Sequence, residues 1–107
     1  MGKRKIDNYL IQYIERLNKD VKPEKVLLFG SYLKGTYKEG SDIDLIVVSN
    51  YFKNMDIDDR LKILYGKRIL IPLDMHLHAF TAEEIKKVSP LTSLYEALKE
   101  SKDILHS

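Results

Sequence analysis

Two short apolar runs, separated by a glycine-containing polar segment, constrain the fold of this chain more than any other feature. The first run, residues 26–29, ends at Gly30-Ser31, and the second, residues 43–48, begins directly after Asp42. Apolar runs of this length between turn residues are typical of buried strands. A glycine break followed by the mixed residues 31–37 predicts a tight turn and then a short helix or turn. The pattern therefore predicts strand, turn, short helix and strand.

Asp42 and Asp44 are expected to lie on one face of the second strand. Side chains alternate along a strand, so residues two apart point the same way, with Cα atoms about 6.6 to 6.8 Å apart. Two ionised carboxylates so close repel each other, and a bound divalent cation removes that cost. Magnesium suits such a site because it takes oxygen ligands and shares them with phosphates. At an isolated Asp-x-Asp, solvation of a turn would be the simpler explanation.

The upstream Gly30-Ser31 favours the metal interpretation. A helix beginning at Ser31 would present free backbone N–H groups to an anion, and Gly30 would let the backbone approach a phosphate closely. On its own, a Gly-Ser pair is more simply a turn residue and a helix N-cap. Combined with the two aspartates, it predicts a site that handles nucleoside triphosphates.

Asp74 is the candidate for a third carboxylate, which a two-metal site for phosphoryl or nucleotidyl transfer usually needs. It lies in a segment, from Ile69 onward, that is predicted to be the third strand. The strand effectively begins at Leu73 if Pro72, which cannot donate to a sheet, stands at its start. Pairing beside the second strand would make the three carboxylates converge. Apolar residues alternate there with polar ones: Leu73, Met75 and Leu77 with Asp74, His76 and His78.

His76 and His78 raise an alternative from another class of site. With Asp74 they form Asp-x-His-x-His on one strand face, and such side chains can bind zinc or another transition metal. Three successive same-face positions span about 13 Å, which is long for one ion. We instead expect His76 to line the cleft beside Asp74.

The rest of the chain predicts helices between the strands. Residues 6–18 and 57–65 have helical apolar spacing, and Thr81 begins a capping box for a helix over residues 82–87. A final apolar stripe is expected to pack back onto the same domain rather than to bind a partner. Residues 1–107 are therefore predicted to form a single α/β domain with a small mixed β-sheet flanked by helices. The final stripe consists of Leu91, Leu94, Tyr95 and Leu98.

Composition excludes little. Eighteen Lys+Arg against sixteen Asp+Glu give a net charge of +2, too balanced to require a nucleic-acid partner. No cysteine is present, and no stretch approaches the roughly 20 apolar residues of a membrane span. We expect a cytoplasmic protein that is not attached to a membrane.

The segment from Leu28 to Val47, LFGSYLKGTYKEGSDIDLIV, closely resembles the signature of minimal nucleotidyltransferases, small members of the DNA polymerase beta superfamily. The resemblance implies a polymerase beta-like fold and a magnesium-dependent enzyme with two ions. It implies that Asp42 and Asp44 hold magnesium and that Asp74, also a metal ligand, helps to activate the attacking hydroxyl. The candidate nucleotide-binding residues are Gly30, Ser31, Lys34 and Ser41.

One departure concerns the two arginines that often follow Gly-Ser in this family. Here Tyr32 and Lys34 occupy those places. Lysine keeps the charge but lacks the bidentate fork of arginine, and tyrosine lacks the charge. Tyr32 and Tyr37 are expected nearest the triphosphate. Whether catalysis survives these changes is left open.

Many minimal nucleotidyltransferases are encoded beside a helical HEPN-domain ribonuclease and act as its antitoxin by adding AMP to a tyrosine hydroxyl. The resemblance implies ATP as substrate and a HEPN toxin as partner. With 107 residues the chain has little room for a separate acceptor-recognition domain, so we expect another protein to bring the acceptor. The alternative is an inactive binding module that neutralises its partner by occlusion. Base preference, acceptor and oligomeric state are not determined by the sequence.

Overall fold

Four strands form one mixed sheet in the computed structural model, which describes residues 1–106. They are β1 (Lys25–Phe29), β2 (Ile43–Val48), β3 (Met75–Phe80) and β4 (Lys102–Asp103). Their order across the sheet is β3-β2-β1-β4. β1 is antiparallel to both β2 and β4, whereas β2 and β3 are parallel. The predicted α/β class, with a small mixed sheet flanked by helices, is confirmed.

Helices connect the strands at the predicted places. They are α1 (Lys3–Leu17), α2 (Ser31–Lys34), α3 (Ile57–Gly66), α4 (Ala82–Lys86) and α5 (Ser93–Glu100). The predicted capping box is present at α4. The Glu84 amide donates to Thr81 Oγ1 at 3.2 Å, and the Thr81 amide donates to Glu84 Oε1 at 2.8 Å. Two backbone N–H groups at the N-terminal end of this short helix are thereby satisfied locally.

Strand alternation divides the apolar side chains between the two faces of the sheet. On β2, Ile43, Leu45 and Val47 join the main core, which also contains the buried stripe of α1. Ile46 and Val48 face the other way and form a smaller cluster against α4 and α5. Leu94 and Leu98 of α5 pack on that smaller cluster, so the expected packing of the final stripe is confirmed for these two residues.

The third strand begins later than the sequence predicted. Residues 71–74 are not in a strand, and β3 starts at Met75 rather than at Ile69 or Leu73. Leu70 has a left-handed backbone (φ 64°) and an exposed side chain, which interrupts any extended run. The short edge strand β4 was not predicted. Among residues 1–106, no helix has the length and apolar character needed to cross a membrane.

Candidate active site

Gly30 brings the two halves of the motif into contact. It follows β1 with φ 81° and ψ −157°, a conformation that glycine adopts far more readily than other residues. A Cβ atom at this position would lie 2.2 Å from Asp44 Oδ2, so no larger residue fits without displacing the carboxylate. β1 and β2 create this approach because Phe29 pairs directly with Asp44 in the sheet. The turn and the carboxylate therefore form one site.

The short helix α2 begins directly after this glycine. The Lys34 amide donates to the Gly30 carbonyl at 3.1 Å, and Gly35, with φ 79°, ends the helix. The amides of the first turn have no partner within a helix, so they can donate to an anion at the turn. Ser31, half-buried at this end, can add its hydroxyl. This arrangement suits a phosphate.

Ser41, the fourth candidate nucleotide-binding residue, lies in a turn of its own. Its amide donates to the Lys38 carbonyl at 2.9 Å, and its Oγ accepts the Lys38 amide at 3.4 Å. These bonds shape the approach to β2. Its contact with a nucleotide stays a prediction.

The parallel pairing of β2 and β3 places the three aspartates at one edge of the sheet. Ile43 pairs with Met75, and the Ile43 amide donates to the Asp74 carbonyl at 2.8 Å. Asp42 and Asp74 thus precede neighbouring strands, and Asp44 is one step further along β2. Because Ile43 and Met75 face the main core, the three carboxylates are on the opposite face of the sheet. Asp42 and Asp74 are exposed there.

The chemistry of these side chains fits a hard divalent cation, because carboxylate oxygens are the ligands that Mg²⁺ prefers. Asp42, Asp44 and Asp74 are the residues that could hold it. Within residues 1–106, however, no three His, Asp or Glu side chains form a group that could hold a metal ion. The backbone brings the carboxylates to one edge, and their predicted convergence on two ions stays a prediction.

His76 contacts Asp44 across the two parallel strands. Its Nδ1 lies 3.3 Å from Asp44 Oδ1, and its ring centroid lies 4.5 Å from that of His78. Burial lowers the pKa of His78, the neighbouring His76 acts in the same direction, and the Asp44 carboxylate opposes both. Sequence reasoning placed His76 beside Asp74 but missed its pairing with Asp44, which depends on strand register.

Tyr32 packs with its hydroxyl against α1. Its hydroxyl donates to Asp7 Oδ1 on α1 at 2.6 Å, and its ring meets Tyr37 edge-on at 5.4 Å. Burial raises the pKa of Tyr32, and the bond to Asp7 adds to the effect. The Tyr32 hydroxyl therefore has a partly buried acceptor on α1, and the expectation that Tyr32 lies nearest the triphosphate stays a prediction.

Lys34 occupies the other position where the family often has an arginine, and it pairs with a residue of α5. Its Nζ lies 3.4 Å from Glu100 Oε2, and both side chains are more than half exposed. An exposed pair of this kind is weak, so Lys34 can exchange Glu100 for a phosphate. Nothing in the sequence indicated that Glu100 would pair with Lys34.

A cleft of about 410 Å³ opens beside Asp74. Its walls include Gly40, from the segment before β2, and Pro72, from the segment before β3. A carboxylate at the edge of an open cleft can accept a proton from a group that enters it. The cleft thus offers an acceptor access to the acidic edge.

Fold and site together form an α/β domain that brings the Gly30 turn, whose geometry suits a phosphate, against an acidic sheet edge. Residues 10–105 match the family model described as "Nucleotidyltransferase domain". The chain belongs to this nucleotidyltransferase family.

Individual relatives agree with this assignment. Over 45 residues, 40% are identical to a Methanocaldococcus jannaschii protein provisionally named as a protein adenylyltransferase. That alignment covers 40% of this chain and 45% of the relative, so less than half of the relative is matched.

Two solved structures share the fold. A Sulfolobus solfataricus protein, provisionally named as a nucleotidyltransferase, is 22% identical with a TM-score of 0.59, and the match covers 96% of this chain and 87% of that one. A toxin-antitoxin structure with AMP-PNP is 24% identical with a TM-score of 0.62, covering 96% of this chain and 72% of the other. At these identities the likeness establishes the fold.

Proposed function

We propose that this protein is a Mg²⁺-dependent nucleotidyltransferase that transfers AMP from ATP to a tyrosine hydroxyl of a partner HEPN ribonuclease toxin, and so acts as an antitoxin. The observation that carries the proposal is the contact between Gly30 and Asp44 Oδ2. It joins a turn suited to phosphate with a carboxylate suited to a phosphate-bound cation.

The reaction is an in-line displacement at the α-phosphorus. The acceptor oxygen forms a bond to that phosphorus, the bond to the oxygen bridging the α- and β-phosphates breaks, and pyrophosphate leaves. Asp74, beside the open cleft, accepts the hydroxyl proton. Gly30 and Ser31 orient the phosphates through backbone and hydroxyl donors. Magnesium bound by Asp42, Asp44 and Asp74 would neutralise charge on the triphosphate.

Three observations support the choice of acceptor. The Methanocaldococcus jannaschii relative carries the name of a protein adenylyltransferase, and one structure of the same fold is a toxin-antitoxin complex with an ATP analogue. The cleft beside Asp74 is open, so a side chain presented by another protein can enter it.

The test is transfer of label from ATP to a HEPN ribonuclease supplied as the acceptor. We expect label from [α-³²P]ATP, but not from [γ-³²P]ATP, on the toxin in the presence of Mg²⁺. The double variant Asp42→Asn, Asp44→Asn should lose the transfer by at least about 1,000-fold, because both anchors of the cation are removed. Thermal unfolding of the variant controls for its fold. Absence of label with the wild-type protein contradicts the proposal.

A second candidate function is neutralisation of the partner by binding alone. The contacts of Tyr32 with Asp7 and of Lys34 with Glu100 favour this function. At the two positions where the family often has arginines, this chain has an uncharged tyrosine and a lysine that is already paired. The same experiment separates the two functions. Equal inhibition of the ribonuclease by the wild-type protein and the double variant, without label, would support the binding module.

A further inference from the structure

Phe29, Asp44 and His76 form one row across the sheet. Phe29 on β1 pairs with Asp44 on β2, and Asp44 pairs with His76 on β3. The row lies on the face away from the main core, one step from Asp42 and Asp74. The residue opposite Asp44 on β3 is therefore a histidine whose side chain shares its face.

The two oxygens of Asp44 have different surroundings. Oδ1 lies 3.3 Å from His76 Nδ1, and a carboxylate can only accept, so the ring nitrogen donates. Oδ2 is directed at the Gly30 turn, 2.2 Å from the point where a side chain on that residue would begin. The carboxylate thus has one oxygen bound within the protein and the other facing the phosphate turn.

The imidazole of His76 lies beside a second ring on the same strand face. The His78 ring contacts it at 4.5 Å, and Phe29 contacts His78 at 6.0 Å between ring centroids. Asp44 is 21% exposed and His76 57% exposed, so the pair lies at the rim of the site rather than in the core. A bond at this place contributes little to folding but can fix the direction of a ligand.

We propose that His76 is a positioning residue for Asp44: its Nδ1–H holds Oδ1 so that Oδ2 faces the glycine turn, ready for the cation that accompanies the triphosphate. The inference rests on the proposed function, because it assigns His76 a task in that site. Hydrogen-bond partners of ligating carboxylates orient them, and their loss typically costs 10- to 100-fold in metal affinity or activity.

The experiment measures cation affinity and catalysis separately. Mn²⁺, which is visible by electron paramagnetic resonance, is titrated into the full chain with an ATP analogue that has a methylene bridge between its α- and β-phosphates. His76→Ala should weaken Mn²⁺ binding by about 10- to 100-fold and lower kcat for transfer similarly, with KM for the toxin unchanged. His76→Asn can place an amide donor near the position of Nδ1, so it should recover most of the affinity.

His78→Ala is the matched control, since this variant removes the neighbouring ring on the same strand face but leaves the His76–Asp44 bond. The Mn²⁺ affinity and kcat of His78→Ala should stay within about threefold of the wild-type values. That change is well below the loss typical when a hydrogen-bond partner of a metal ligand is removed. Wild-type Mn²⁺ affinity in His76→Ala, or no recovery in His76→Asn, would overturn the inference.

Failure of the inference and failure of the function give different results. Wild-type transfer that His76→Ala leaves intact, together with unchanged Mn²⁺ affinity, overturns the inference alone. Mn²⁺ binding that is weakened in His76→Ala, without transfer by the wild-type protein, supports the positioning role and contradicts the proposed reaction. If the wild-type protein binds no Mn²⁺ with the analogue, both are overturned.

Discussion

The charged side chains at the two ends of the parallel pair β2–β3 differ in their exposure and in their partners. Near the end of β3, the guanidinium of Arg60 is 5% exposed and donates to both carboxylate oxygens of Glu84, at 2.7 and 3.1 Å, and to the carbonyls of Met55 and Ala79. At the start of the strands, Asp42 and Asp74 are exposed on the same edge. A buried charge that is satisfied within the chain is costly to leave unpaired, whereas exposed carboxylates are available to an outside ligand.

Among single substitutions at the two ends, the largest effect is expected at the acidic end, from Gly30→Ala. The added Cβ would meet Asp44 Oδ2 at 2.2 Å, so either the carboxylate or the turn must move. Misplacement of a reacting group by about 1 Å can cost 100-fold, and we expect AMP transfer to fall at least that far. Steady-state kinetics of label transfer measure the loss.

Gly35→Ala is the control for backbone strain. Gly35 has nearly the same φ, 79°, but nothing lies within 4 Å of its Cβ position. Gly35→Ala should lose about 1 to 2 kcal/mol of unfolding free energy, because alanine is disfavoured in the left-handed region. Gly30→Ala should lose more, because its ψ of −157° lies in a region nearly restricted to glycine and its Cβ meets Asp44. Only Gly30→Ala should lose transfer. Equal kinetics in the two variants would contradict the assignment of the turn.

At the other end, Glu84→Gln should change stability and leave catalysis intact. It leaves the buried Arg60 guanidinium without its counter-ion, and we expect a loss of about 2 kcal/mol, below the usual cost for a fully buried pair because Glu84 is partly exposed. Urea unfolding measures the difference. A fall in transfer by the folded variant would show that the two ends are not independent.

The same pair predicts a pH dependence. The hydrogen bond from Arg60 lowers the pKa of Glu84 from 4.5 to about 2. Since the folded state holds this carboxylate ionised more strongly than the unfolded state, its contribution is fully present above pH 4.5 and is lost as the pH falls towards 2. The stability gap between wild type and Glu84→Gln should therefore narrow over this window in urea unfolding at successive pH values. A difference in unfolding free energy that stays constant with pH would contradict the role of the Arg60–Glu84 pair.

A smaller effect is expected for Tyr32→Phe. This variant removes the bond to Asp7 but keeps the edge-on ring contact with Tyr37, so stability should fall by about 1 kcal/mol. Transfer should not change, because the hydroxyl is directed at α1. Tyr37→Phe, which keeps the same ring contact, is the matched variant for stability. Loss of transfer in Tyr32→Phe would place its hydroxyl in the site after all.

Local patterns predicted much of this fold. The apolar run at residues 43–48, the glycine turn before α2 and the capping box at Thr81 each depend on a few neighbouring residues. Local patterns also indicated the three aspartates, but their position at one edge depends on the pairing of β2 with β3, which the residues left open.

What sequence reasoning missed depends on distant partners. The contact between Asp44 and His76 follows from the register of two parallel strands, which neither strand specifies alone. Arg60 on α3 and Glu84 on α4 are 24 positions apart and meet near the end of β3, where Arg60 also donates to the Ala79 carbonyl. The late start of β3 follows from the backbone at Leu70, since an apolar run alone does not reveal a left-handed residue.

The smallest expected effect tests whether Lys34 contacts the triphosphate at the acidic end of the strands. Glu100 pairs with Lys34 at 3.4 Å, and the two side chains are 54% and 59% exposed, so the pair is worth at most about 1 kcal/mol. Glu100→Gln should release Lys34 towards the triphosphate and lower KM for ATP by about two- to threefold, an effect that salt screens. Glu83→Gln, which breaks the similarly exposed Lys87 pair on α4, should leave KM unchanged. If both variants have the wild-type KM, Lys34 does not contact the phosphates, and Gly30 and Ser31 must supply that contact without a cation from α2.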